Sequence, residues 1–149
     1  MHKTITLSEY VKKRNGVALG APGSMTNMVK RSLGASSFYM FWQYWNPIWG
    51  YYLSRKVMKP LRQLLPTWLA IIMTFAVSGA LHDLAITVVQ WKLTFLFTPW
   101  FTFMSFIVLT TKYLGISYRE YHWLIRASIN ISFVVVCLIV TRQYVIQVA

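Results

Sequence analysis

The chain has 149 residues, of which 56% are hydrophobic and 17% aromatic, and its mean hydropathy is +0.47. Fifteen Lys and Arg residues against three Asp and Glu residues give it a formal net charge of +12. Because the apolar residues form long runs with few charges instead of periodic faces, the composition excludes an ordinary soluble domain and predicts an all-α integral membrane protein. The single cysteine, Cys137, excludes an internal disulfide.

Residues 1–34 are polar, basic and punctuated by glycines, and they predict a cytoplasmic N-terminal arm. Residues 35–65 carry nine aromatic residues between Phe38 and Tyr52, followed by a cluster of Lys and Arg. Aromatic side chains favour the headgroup depth of a membrane, and basic residues beside them face anionic lipid. Since Pro47 also interrupts any single helix, this segment predicts interfacial or re-entrant amphipathic helices.

Residues 66–149 contain three apolar runs, each close to the ~20 residues that cross the hydrocarbon core of a bilayer. We therefore expect this region to form three transmembrane helices. The first run holds only His82 and Asp83 as ionisable residues, and the second holds Pro99, near which we expect a kink. The third run covers residues 127–141 and has no charged residue.

The positive charge is concentrated on one predicted side of the membrane. Ten of the fifteen Lys and Arg residues precede the first run, and three more follow the second. A basic surface can also indicate binding to nucleic acid. This distribution, however, is typical of the positive-inside rule and of contact with anionic membrane lipid, so we expect no nucleic-acid partner. It predicts a multi-pass protein with its N-terminus in the cytoplasm and its C-terminus on the opposite side.

The histidine of the first run is the strongest candidate for chemistry. At helical spacing Thr74, Ser78 and His82 share one face, and Asp83 begins a second polar stripe about 100° away. An ionisable residue at this depth faces a protein interior or a wet cavity and often marks a reaction site or a transport pathway. The structural alternative is a histidine that only hydrogen-bonds a neighbouring helix, with Ser78 and Gly79 as a packing face.

Two motifs occur in order around this histidine. The first is the aromatic block FYMFWQYWNPIWGYY, and the second, after a basic stretch, is FAVSGALHDLAI. Together they resemble the membrane-bound O-acyltransferase family, and most closely its branch of sterol and diacylglycerol acyltransferases and wax synthases. The resemblance covers residues 38–90, and its matching residues are Phe41, Trp42, Trp45, Asn46, Ser78, Gly79 and His82.

The resemblance implies transfer of an acyl group from acyl-CoA or an acyl-carrier protein to a hydroxyl acceptor. It makes His82 the general base and Asn46 the second catalytic residue, which orients a reactant or donates a hydrogen bond to the developing oxyanion. Asp83 and Thr74 are expected to support these residues without touching substrate. The residues expected to bind substrate are Trp42, Trp45, Ser78, Arg55, Lys56 and Lys59. The basic ones suit the phosphates of CoA or an acidic carrier protein, and acyl-CoA as co-substrate is implied without a separate cofactor or metal.

Members of that family are several times longer and surround a tunnel with many more spans. Three spans cannot enclose such a tunnel, so we expect a homo-oligomer or a subunit of a larger membrane complex. Two other functions stay open at this point. One is a non-enzymatic membrane subunit whose polar stripe docks another helix, and the other is a transport component that relays protons through His82 and Asp83.

Overall fold

A computed structural model describes residues 5–148 of the chain, with side chains over residues 5–145, and this part is all-helical, as predicted. The elements in chain order are α1 (Leu7–Asn15), α2 (Ser24–Leu33), α3 (Phe38–Tyr44), α4 (Pro47–Leu53), a π-helical segment (Ser54–Met58), α5 (Lys59–Leu64), α6 (Thr67–Gln90), α7 (Phe97–Tyr113) and α8 (Trp123–Val148). The helical stretch over residues 47–64 is continuous through the π segment, and we call it the wall helix.

Within the described part of the chain, two helices are long and apolar enough to cross a membrane, namely α6 and the Trp123–Val145 part of α8. Three such helices were expected. The helix between them, α7, has 17 residues, which corresponds to about 25 Å of rise. It begins at Phe97 because the residues before it form the connection from α6. Pro99 consequently lies in the first turn of α7, where its missing N–H leaves no helical hydrogen bond unmade, so the reason for expecting a kink there disappears.

The N-terminal segment expected as an arm is folded onto the rest of the chain over its described residues. α1 starts with a capping box between Thr6 and Glu9, and it packs against α4. α2 packs against α3 and α8. The turn between α1 and α2 is fixed by Asn15, whose buried amide donates to the carbonyl and hydroxyl oxygens of Ser24 at 3.0 and 2.8 Å.

The helices α6 and α7 form an antiparallel hairpin with the most extensive contact between any two elements. Gly79 makes this contact close, because a Cβ atom at that position would lie 2.6 Å from the Cα of Thr98. α8 packs against α7 on its other flank. The aromatic helix α3 lies across α7 and α8, where Phe38 and Phe41 are buried together with Met104. This core holds the aromatic block beside the helix that carries the histidine.

A polar network ties the connection between α7 and α8 to the start of α3. Tyr118 donates its phenolic hydrogen to the side-chain oxygen of Asn130, and its backbone N–H donates to the carbonyl of Ser36 at 2.9 Å. The amide of Asn130 donates to the carbonyls of Leu33 and Ala35 at 2.8 and 3.1 Å. Both Tyr118 and Asn130 are buried, so these bonds satisfy polar groups that have no access to water.

Candidate functional site

A cavity of about 400 Å³ lies between the wall helix and the face of α6 that carries the histidine. Residues of α1, α3 and α7 complete its lining. On α6 the lining residues recur at helical spacing, in the row Thr67, Ile71, Thr74, Ser78 and His82. From the first to the last of these positions the helix rises about 22 Å, so the lining of the cavity extends along much of α6.

His82 is held in one tautomer by the preceding turn of its own helix. Its Nδ1 lies 2.7 Å from the backbone carbonyl oxygen of Ser78. Because a carbonyl oxygen only accepts hydrogen bonds, Nδ1 carries the hydrogen, and the neutral ring keeps its lone pair on Nε2. The rings of Trp49, Phe97 and Phe101 surround the imidazole, with centroids 5.1 to 5.9 Å away. The resulting group is an oriented base in an aromatic environment.

Asn46 lines the same cavity from the other side. It is the N-cap of α4 and has a left-handed backbone conformation with φ of 40°, which asparagine tolerates better than most residues. The following Pro47 also disfavours a right-handed helical conformation at Asn46. Its Oδ1 accepts from the backbone N–H of Trp49 at 3.2 Å, and within the described residues its Nδ2 donates to no protein group. This leaves an amide donor for a ligand.

A short chain of contacts links the two residues. The indole Nε1 of Trp49 donates to the hydroxyl of Ser78 at 2.9 Å, across the cavity wall from α4 to α6. Trp49 therefore joins the turn that holds Asn46 to the turn that holds the His82 ring. Of the other residues expected at the site, the structure brings Trp42, Trp45, Ser78 and Thr74 to the cavity lining.

Asp83 lies outside the cavity lining, on the neighbouring face of α6. Its carboxylate accepts the backbone N–H groups of Leu96, Phe97 and Thr98 at 2.8 to 2.9 Å and the hydroxyl of Thr98 at 2.7 Å. It thus caps the amino end of α7, where a negative charge is favourable. Its contact with His82 is indirect, because the capped turn carries Phe97, which packs on the imidazole ring.

The structure does not bring Arg55, Lys56 and Lys59 to the cavity of His82. They line a separate cleft on the opposite face of the wall helix, and the two linings share no residue. The reason is helical geometry, since the face of this helix that meets α6 is formed by residues such as Leu53 and Met58. The structure therefore separates these three cations from the cavity of His82, beside which the sequence had placed the substrate.

The cations that do line the cavity are Arg14, Arg62 and Lys112, none of which the sequence singled out. They come from α1, α5 and α7, so only the fold brings them together. The guanidinium of Arg14 lies 5.2 Å from the ring centroid of Tyr10, and the ammonium of Lys112 lies 5.2 Å from that of Tyr39. Arg62 lies near the end of the wall helix, just before the start of α6. This is the end of the cavity farthest from His82.

No protein-family model, no curated protein and no solved structure matches this chain. Among the described residues, no three His, Cys, Asp or Glu side chains are grouped so that they could hold a metal ion. What the site can do chemically therefore follows from its own side chains. These are an oriented imidazole and an amide donor on one long cavity, with cations among the residues that line it.

Proposed function

We propose that this chain is a membrane-embedded O-acyltransferase, similar to the membrane-bound O-acyltransferase family, in which His82 is the general base and Asn46 its catalytic partner. One observation carries the proposal. His82 and Asn46, which lie 36 positions apart in the sequence (82 − 46), line the same cavity, and the hydrogen bond at Nδ1 leaves Nε2 as the proton acceptor.

The proposed reaction needs only groups that the cavity provides. Nε2 of His82 takes the proton of the acceptor hydroxyl as its oxygen attacks the carbonyl carbon of an acyl thioester. The Nδ2 amide of Asn46 donates a hydrogen bond to the oxyanion of the tetrahedral intermediate. When the intermediate collapses, the carbon–sulfur bond breaks, the imidazolium returns its proton to the thiolate, and an ester and a free thiol leave.

The shape and charge of the cavity suit an acyl-CoA or an acyl-carrier protein as donor. Arg14, Arg62 and Lys112 offer positive charge for phosphates. The aromatic and aliphatic lining offers an apolar path, and the ~22 Å between Thr67 and His82 suits a long ligand. Arg55, Lys56 and Lys59 have no part in this donor site.

The topology and assembly that we propose follow from the same sequence features. We propose that α7 is a third, short span, and that the N-terminus lies in the cytoplasm and the C-terminus on the other side. In this proposal the chain forms a homo-oligomer or joins a larger membrane subunit, and the neighbouring subunit covers the cavity. Association is not needed to satisfy the polar groups of Asp83 and Thr87, since residues 94–98 of the same chain bind both. Native mass spectrometry showing an active monomer would remove this part of the proposal.

The test is acyl transfer by purified protein in lipid nanodiscs. His82→Ala is expected to lower the rate by about 10²–10⁴-fold, because that is the usual contribution of a general base. Asn46→Ala is expected to lower it strongly as well. The matched control is His122→Ala, since His122 is an exposed histidine in the α7–α8 connection and does not line the cavity.

Lipid analysis of cells that express the wild type and His82→Ala identifies the acceptor as the ester that only the wild type makes. Full activity of His82→Ala would refute the general-base assignment. An absence of any acylated product from the wild type would favour the non-enzymatic subunit. A proton relay through His82 and Asp83 has little support, because the carboxylate is fully engaged with the amino end of α7.

A further inference from the structure

The wall helix has a second, basic face that the proposed reaction does not use. A cleft of about 620 Å³ opens on this face, and its lining residues are Leu7, Tyr51, Tyr52, Arg55, Lys56 and Lys59. Among the described residues, its lining has three cations and no acidic residue. We call it the basic cleft. It shares the wall helix with the cavity of His82 but none of the residues that line that cavity.

The three cations come to one side because of the helical register. Arg55, Lys56 and Lys59 stand at positions i, i+1 and i+4, which project within about 100° of one another. The π segment lies in this stretch, with the backbone N–H of Lys59 donating to the carbonyl of Ser54. It ends just before Pro60, whose ring cannot fit a regular helix interior.

Arg55 is fixed in place, whereas the two lysines are exposed. Its guanidinium donates to the backbone carbonyl of Ile5 and lies 4.6 Å from the ring centroid of Tyr51. The cleft therefore has one cation held by the backbone of Ile5 and the ring of Tyr51, and two exposed ammonium groups. A ligand with several anionic oxygens can contact all three, because guanidinium and ammonium groups both bind phosphate well.

The position of the cleft indicates which kind of molecule carries that phosphate. α5 leads directly into α6, one of the two helices able to cross a membrane, so the cleft lies at the entrance to the bilayer. Tyr51 and Tyr52 line it, and tyrosines favour the depth of the lipid headgroups. We propose that the basic cleft is a binding site for the phosphate headgroup of an anionic membrane lipid.

The experiment is lipid retention measured by native mass spectrometry on the full chain, released from mixed micelles of phosphatidylcholine and phosphatidylglycerol. The wild type is expected to retain phosphatidylglycerol preferentially. The triple variant Arg55→Gln/Lys56→Gln/Lys59→Gln is expected to lose this preference by about tenfold or more, because each charge near an anionic lipid weakens binding several-fold when it is removed. Lys56→Gln alone changes an exposed residue and is expected to give a smaller loss in the same direction.

The matched control removes the same charge elsewhere, with Lys12→Gln/Lys13→Gln/Arg119→Gln at exposed positions that do not line the cleft. It is expected to keep the preference. Equal loss in both triple variants would overturn the site in favour of a general effect of net charge. Displacement of the lipid by inorganic phosphate or adenosine 3′,5′-bisphosphate would overturn the lipid assignment in favour of a soluble phosphate. No step of this test uses acyl transfer, so it is independent of the reaction proposed for His82.

Discussion

At the scale of single residues, the orientation of His82 depends on a backbone carbonyl and not on another side chain. The carbonyl of Ser78 belongs to the helix itself, so no substitution of a neighbour removes it without disturbing α6. This is an economical way to fix a tautomer inside an apolar segment, since no second ionisable group is needed. Asp83, directly after His82, is therefore available to cap α7.

Tyr118 gives a residue-scale prediction that concerns stability. Tyr118→Phe removes the donor to the buried side-chain oxygen of Asn130, so unfolding in detergent is expected to require about 1–3 kcal/mol less free energy. A lower stability of Asn130→Leu in the same assay would agree with this. Unchanged stability of Tyr118→Phe would show that the network contributes nothing.

The same residue predicts a pH dependence with a defined sign. Burial raises the pKa of Tyr118 well above its ordinary value near 10. A folded-state pKa that is raised means that the protonated phenol stabilises the fold fully below pH ~10, and that this contribution is lost as the pH rises above it. The wild type is therefore expected to lose stability above pH ~10 more steeply than Tyr118→Phe. Parallel curves for the two proteins would contradict this.

At the scale of elements, the α6–α7 hairpin depends on the carboxylate that caps α7. Asp83→Ala leaves three backbone N–H groups and the hydroxyl of Thr98 without their acceptor, and Asp83 is buried. We expect a loss of about 2 kcal/mol or more in the free energy of unfolding, with Asp83→Asn losing less because it keeps one acceptor oxygen. Detergent-based unfolding monitored by tryptophan fluorescence measures both. Wild-type stability of Asp83→Ala would contradict the cap.

The elements also show what the sequence could predict and what it could not. The all-helical class and α6 follow from hydrophobic run length, which needs no tertiary information. The start of α7 at Phe97 does not follow from periodicity, because Asp83 caps it through a long-range contact. The folding of α1 onto α4 depends on tertiary packing in the same way.

The sequence predicted site residues well when they lie on one helix. It predicted them poorly when they lie on different helices and meet only in the cavity. Thr74, Ser78 and His82 are aligned by helical spacing alone, and all three line the cavity. Arg14 and Lys112 reach it from α1 and α7, and no spacing rule connects those positions. Local periodicity cannot say which face of the wall helix meets α6, and for that reason the sequence did not predict that Arg55, Lys56 and Lys59 line a separate cleft.

At the scale of the whole molecule, the arrangement in the membrane is the first property to measure. In a Cys137→Ala background, Ser8→Cys and Tyr144→Cys are expected to label from opposite sides of sealed vesicles, because the proposed topology puts three spans between them. Both positions lie on described helices and outside the buried core. Labelling from the same side would leave α6 and α8 as the only crossings and return α7 to the membrane surface.

The wall helix has a consequence for the whole molecule that can be stated as thermodynamic linkage. One of its faces borders the cavity of His82 and the other borders the basic cleft, so the two proposed ligands would bind against the same helix. A lipid that prefers one position of this helix changes the affinity of the cavity by some factor, and a ligand in the cavity must change the affinity for that lipid by the same factor. If the proposed acyl transfer and lipid site both hold, the lipid composition of the bilayer would act as an effector of that transfer, and the acyl donor would in turn change which lipid binds to the cleft.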